Sequence, residues 1–94
     1  MYRQGDILIV ESEINPNARK VNHNILAKGE TTGHAHRLDG DVQVYEMGMN
    51  LFFSAEDAVP LVHEEHETII IPEGSYRVIR QREFGEEVIR YVSD

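Results

Sequence analysis

Short β-branched runs broken by Gly, Pro, Asn and Asp constrain this chain more than any other feature. The first, residues 6–14 (DILIVESEI), lies between Gly5 and Asn15-Pro16-Asn17. Further runs cover 23–28, 34–38, 41–46, 50–54, 58–63, 67–71, 75–83 and 86–92. Within 41–46, Val42 and Val44 alternate with Gln43 and Tyr45, the period of a strand with one buried face. Short strands at spacings near ~8–12 residues predict an all-β fold, either a small barrel or a two-sheet sandwich. A helix is an alternative only over 83–92, where Phe84, Val88, Ile89 and Val92 share a helical face. Asp39-Gly40 predicts a two-residue hairpin turn, since both residues tolerate positive φ. Pro60 has no N–H to give a ladder and predicts an edge or bulged strand over 58–63. Residues 14–24 read as the most loop-like stretch. Leu51, Phe52, Phe53, Ile69, Ile70, Ile71, Val78 and Ile79 are the expected core.

At 94 residues the chain is expected to be one domain spanning 1–94. Lys and Arg number 9 against 17 Asp and Glu, a net charge of −8. That balance argues against a nucleic-acid partner, which needs a basic face, and against an anionic membrane surface. It suits a cation ligand. There is no cysteine, so disulfides, Fe–S clusters, thiolate zinc sites and a cysteine nucleophile are excluded. The N-terminus lacks the basic and apolar regions of a signal peptide, and no run is long enough to span a membrane. A cytoplasmic location is the resulting expectation.

Four of the five histidines fall in two motifs, Gly33-His34-Ala35-His36 and His63-Glu64-Glu65-His66. Residues two apart on a strand project from one face, so His34 and His36 stand side by side. His63 and His66 converge only if the backbone turns or bulges between them. With no thiolate to compete, the two motifs predict one divalent transition-metal site of His34, His36, His63 and His66, with Zn, Ni, Mn or Fe as the cofactor. In a catalytic site of this kind Glu64 or Glu65 would act as general base on metal-bound water, in a hydrolase or oxygenase-like reaction. His23 stands alone and reads as surface.

Two further features bear on ligands. Gly29-Glu30-Thr31-Thr32-Gly33 runs into the first histidine pair, and the Thr31 and Thr32 hydroxyls are candidate ligand contacts. Arg80 and Arg82 share a strand face, and their guanidinium forks suit the carboxylate or phosphate of a small anionic ligand. The commoner role for such arginines is surface ion pairing with Glu83, Glu86 and Glu87. Two other function classes stand beside the metal reading. One is a non-enzymatic module binding a small molecule or partner, its histidines lining a polar pocket. The other is an accessory protein acting as a homo-oligomer, which exposed edge strands favour.

The stretches GETTGHAHRL, LVHEEH and IPEGSYRVIRQREF resemble a set of small uncharacterised bacterial proteins. That resemblance implies that the segments belong together and implies no activity. His34 and His36, with Asp41 and Pro72-Glu73-Gly74, also resemble the motifs of cupins, implying a small β-barrel with an H-x-H metal site. The chain departs from that pattern three residues after Gly74, where Arg77 stands in place of a histidine. A third ligand would then come from His63 or His66.

Overall fold

A computed structural model describes residues 1–29 and 33–80. Over these residues the chain forms the strands β1 (Tyr2–Gln4), β2 (Ile7–Glu11), β3 (Arg19–Val21), β4 (Ile25–Lys28), β5 (Ala35–Leu38), β6 (Val42–Met47), β7 (Asn50–Ala55), β8 (Val59–His63), β9 (His66–Ile71) and β10 (Gly74–Arg80). Six form an antiparallel sheet in the order β1-β2-β10-β7-β6-β3, and four form a second in the order β4-β5-β8-β9. The architecture is a two-sheet sandwich and not a closed barrel. Ile7, Ile9, Val44, Phe53, Tyr76 and Val78 of the first sheet meet Leu26, Leu38, Leu61 and Ile71 of the second in one core. Burying each such aliphatic or aromatic side chain contributes about 1.5–3 kcal/mol. Among the described residues no helix is long and apolar enough to cross a membrane.

Several expectations are revised. Asp39-Gly40 is not a hairpin turn, because β5 and β6 belong to different sheets and the chain crosses between them here. Gly40 does not use positive φ. It is needed for space, since a Cβ there would lie 2.9 Å from Val59 Cγ2. The Asn24 side-chain amide ties the crossing down by donating to Leu38 O and Gly40 O, each at 3.2 Å. Residues 19–21, expected as loop, form β3; three pairs with β6 hold it, and Arg19 forms an ion pair with Glu46. Such a strand is set by its partner more than by its own pattern.

Pro60 lies on an interior strand, with a register shift between Leu61 and His63 as a bulge would give. Its carbonyl accepts from Asp39 N–H at 2.9 Å, just past the end of β5, so its missing N–H falls where no ladder is left to serve. Ile70 is 57% exposed and not core. Alternation on β9 turns Ile69 and Ile71 inward and Ile70 out. The 86–92 run and its helical alternative lie outside the described residues.

Candidate functional site

Strand pairing explains how the second motif closes. Glu64-Glu65 is the turn joining β8 to β9, and His63 and His66 are direct cross-strand partners on either side of it. Opposed residues of an antiparallel pair project from the same face, so residues three apart in sequence become neighbours. β8 also pairs with β5, which carries His36, while His34 immediately precedes β5. The ring centres of His36 and His63 are 4.3 Å apart and those of His63 and His66 4.6 Å. His34 lies 5.8 Å from His63, edge to face, and His36 lies 5.9 Å from His66, nearly parallel. All four histidines of the two motifs are thus in ring contact.

The other wall comes from the β1–β2 turn, which the sequence pattern does not single out. Gln4 is 3% exposed and reaches across to the second sheet. Its Nε2 donates to Leu61 O at 2.8 Å and to Glu67 O at 2.9 Å. Its Oε1 lies 2.8 Å from His36 Nδ1, and Asp6 Oδ1 lies 2.8 Å from His36 Nε2. His36 is buried, and that burial is the main force lowering its pKa below the ordinary 6.5; the Asp6 carboxylate opposes the shift, and His63 and His66 add to it. Between Gln4 and Asp6, Gly5 takes φ +57°, and the His66 ring lies where a Cβ would project.

Glu64 clamps the hairpin to β5. Its Oε1 accepts from Ala35 N–H at 3.0 Å and its Oε2 from Arg37 Nη1 at 2.9 Å. The Arg37 hydrogen bond, followed by the backbone bond from Ala35, lowers its pKa to about 2. A carboxylate held this way is a weak proton acceptor, and its two hydrogen bonds hold the hairpin to β5. Glu65 Oε1 lies 3.2 Å from His34 Nδ1, and its backbone N–H donates to His63 Nδ1 at 3.0 Å. With His36 engaged at both nitrogens and His63 at Nδ1, no three His, Asp or Glu groups among the described residues are already arranged around a common point that could hold an ion.

Residues 3–81 match the model of a family described as Domain of unknown function (DUF8820). The chain belongs to that family. No curated protein and no solved structure matches it. The stretch matched to DUF8820 contains Gln4, Asp6 and all four motif histidines, so the whole of this site lies within the family's span.

The remaining candidates in this DUF8820 chain are dispersed. Thr31, Thr32 and Arg82 lie outside the described residues. Arg80 Nη2 donates to Lys28 O at 3.3 Å and lines two surface grooves with Leu26 and Leu51, neither of which touches a motif histidine. A hollow of ≈ 250 Å³ does adjoin the site, lined by Arg3, Gln4, Gly5, His66, Glu67 and Ile69. Gln4 and Asp6 carry no motif signal. They reach His36 across 32 and 30 residues of chain, and only the packing of the two sheets brings them there.

Proposed function

We propose that this protein binds one divalent transition-metal ion among His34, His36, His63 and His66. The observation that carries the reading is the spacing of the rings. An ion ~2.0–2.1 Å from a ring nitrogen sits about 3.2 Å from the ring centre, so two imidazoles sharing it have centres about 4.5 Å apart at a right angle and about 5.2 Å at a tetrahedral angle. The contacts here run from 4.3 to 5.9 Å. The His63–His66 separation of 4.6 Å falls inside that range and the other three lie outside it by less than about an ångström, a mismatch that rotation about the side-chain torsions, the terminal one of which is soft in histidine, would close as it re-aims the nitrogens. His66 is exposed and His63 half-buried, and turning them would release the Glu65 N–H from His63 Nδ1 and move the His66 ring off Gly5. A cysteine-free imidazole set suits Zn, Ni, Mn or Fe. The hollow beside His66 would give water or a small anion a path to an open coordination position.

Protein purified without a histidine tag is expected to bind about one Zn, Ni or Mn ion per chain by isothermal titration and elemental analysis. The double variant His63→Ala/His66→Ala should lose at least ~10-fold in affinity, about 1.4 kcal/mol. Equal affinity in variant and wild type would exclude these histidines as the site.

A further inference from the structure

We infer that Gln4 and Asp6 set the chemistry of His36: Gln4 fixes the imidazole tautomer so that Nε2 meets the metal, and Asp6 is itself a ligand beside it. This rests on the metal reading above. Gln4 presents its side-chain amide to His36 across the gap between the sheets. Its Nε2 directs both hydrogens at backbone carbonyls, those of Leu61 and Glu67. The amide therefore cannot be turned over, because Oε1 in that place would set oxygen against oxygen twice. The atom facing His36 Nδ1 is then Oε1, an acceptor, and Nδ1 must carry the proton. In the neutral ring the lone pair is left on Nε2.

That lone pair points at another acceptor. Asp6 Oδ1 stands 2.8 Å from Nε2. Two acceptors at this distance attract only if a proton or a cation lies between or beside them. An ion about 2.1 Å from both atoms would see them at about 85°, close to the right angle of an octahedral shell. The arrangement also has the usual form of a metal-bound histidine, which donates its second ring N–H to a carbonyl oxygen or carboxylate and is thereby held in one tautomer and orientation. Gln4 is a positioning residue in this scheme, and Asp6 a ligand. A mixed set of imidazole nitrogen and carboxylate oxygen favours a first-row divalent ion such as Mn, Fe or Zn over a soft ion such as Cu(I). Asp6 has a half-exposed side chain, so the ion would sit at the edge of the sandwich and not in its core.

The test reads tautomer and affinity separately. Long-range ¹H–¹⁵N spectra of the metal-free protein at pH 8 should show His36 protonated at Nδ1 and bare at Nε2, the half-exposed Asp6 side chain turning away where no cation holds it. Asp6→Asn should keep that tautomer and weaken Mn(II) and Zn(II) binding at least tenfold. Gln4→Met should blur the tautomer and weaken binding ~10–100-fold, the usual effect of losing such an outer partner. Gln4→Met also strips the Leu61 and Glu67 carbonyls of their donor, so Asp6→Asn, at a half-exposed position, is the variant that keeps the test open if the first fails to fold. A wild-type His36 carrying protons on both nitrogens at pH 8 would overturn the inference and make the pair a simple imidazolium–carboxylate bridge. Undiminished metal binding by Asp6→Asn would overturn the role of Asp6. A wild type that takes no ion yet shows the Nδ1–H tautomer would sink the metal reading and Asp6's part in it, and would uphold Gln4's control of the ring.

Discussion

Gly5 does two jobs that a side chain would prevent. At φ +57° it closes the turn between β1 and β2, and its bare α-carbon leaves the space that the His66 ring fills. Gly48 offers an internal control, since it has φ +60° and, its chain neighbours aside, no atom of the described residues lies within 4 Å of the place a Cβ would take. Alanine at either site incurs the left-handed backbone cost, about 1–2 kcal/mol. Alanine at Gly5 must also displace the imidazole. Gly5→Ala is therefore expected to lower Tm more than Gly48→Ala, where each kcal/mol is worth ~4–8 °C in a domain of this size. It should also shift the ring resonances of His66 and His36, and Gly48→Ala should not. Matching melts with unmoved imidazole signals would show that His66 does not rest on Gly5. The histidines themselves were legible from their spacing, because strand parity and a turn are local properties. Gln4, Asp6 and the confinement at Gly5 were not, because each acts on a residue more than twenty-five positions away, across the gap between sheets.

The β8–β9 hairpin is the element on which the site depends. Its turn brings His63 opposite His66, and Glu64 pins that turn to Ala35 and Arg37 at the start of β5, next to His34 and His36. Because the Glu64 carboxyl is held at about 2, below the ordinary 4.5, its folded state favours the ionised form. The stabilisation it gives is complete above 4.5 and is lost as pH falls toward 2. Glu64→Gln should therefore flatten the stability profile between those values and lower stability at neutral pH, as followed by urea melts across pH 2–7. A variant profile parallel to wild type over that interval would mean that Glu64 does not clamp the hairpin. The sequence pattern placed this element well, since VPLVH and ETIII flank an acidic turn. It misplaced the neighbouring crossing at Asp39-Gly40. The dipeptide's local turn preference is real, but the packing of Gly40 against Val59 and the grip of Asn24 send the chain into the other sheet instead.

At the scale of the whole molecule, the site lies where the two sheets meet. Asp6 and Gln4 belong to the six-stranded sheet and its first turn, and the histidines to the four-stranded one. The Gln4 side chain already spans the gap through two hydrogen bonds. A cation held by Asp6 and the imidazoles would tie the sheets together, and a net charge of −8 favours its approach. Metal that binds only the folded chain stabilises it by about 2.7 kcal/mol at a hundredfold excess over Kd. On the scale of ~4–8 °C per kcal/mol, this is a rise in Tm of ten degrees or more. The pH dependence has a definite sign. Imidazoles must be neutral to bind the ion, because a protonated ring nitrogen has no free lone pair, and burial already disfavours the charged form of His36. Acid favours the protonated, metal-free ligands, and the increment should shrink from pH 7.5 to pH 5. Melting curves with Zn or Mn and with chelator, repeated across that range, measure it. Independent surface histidines would leave Tm indifferent to metal at every pH. An increment absent at pH 7.5, or unchanged at pH 5, would therefore rule out an ion shared by these imidazoles, and a rise that disappears in acid and in Asp6→Asn alike would place that ion between the two sheets.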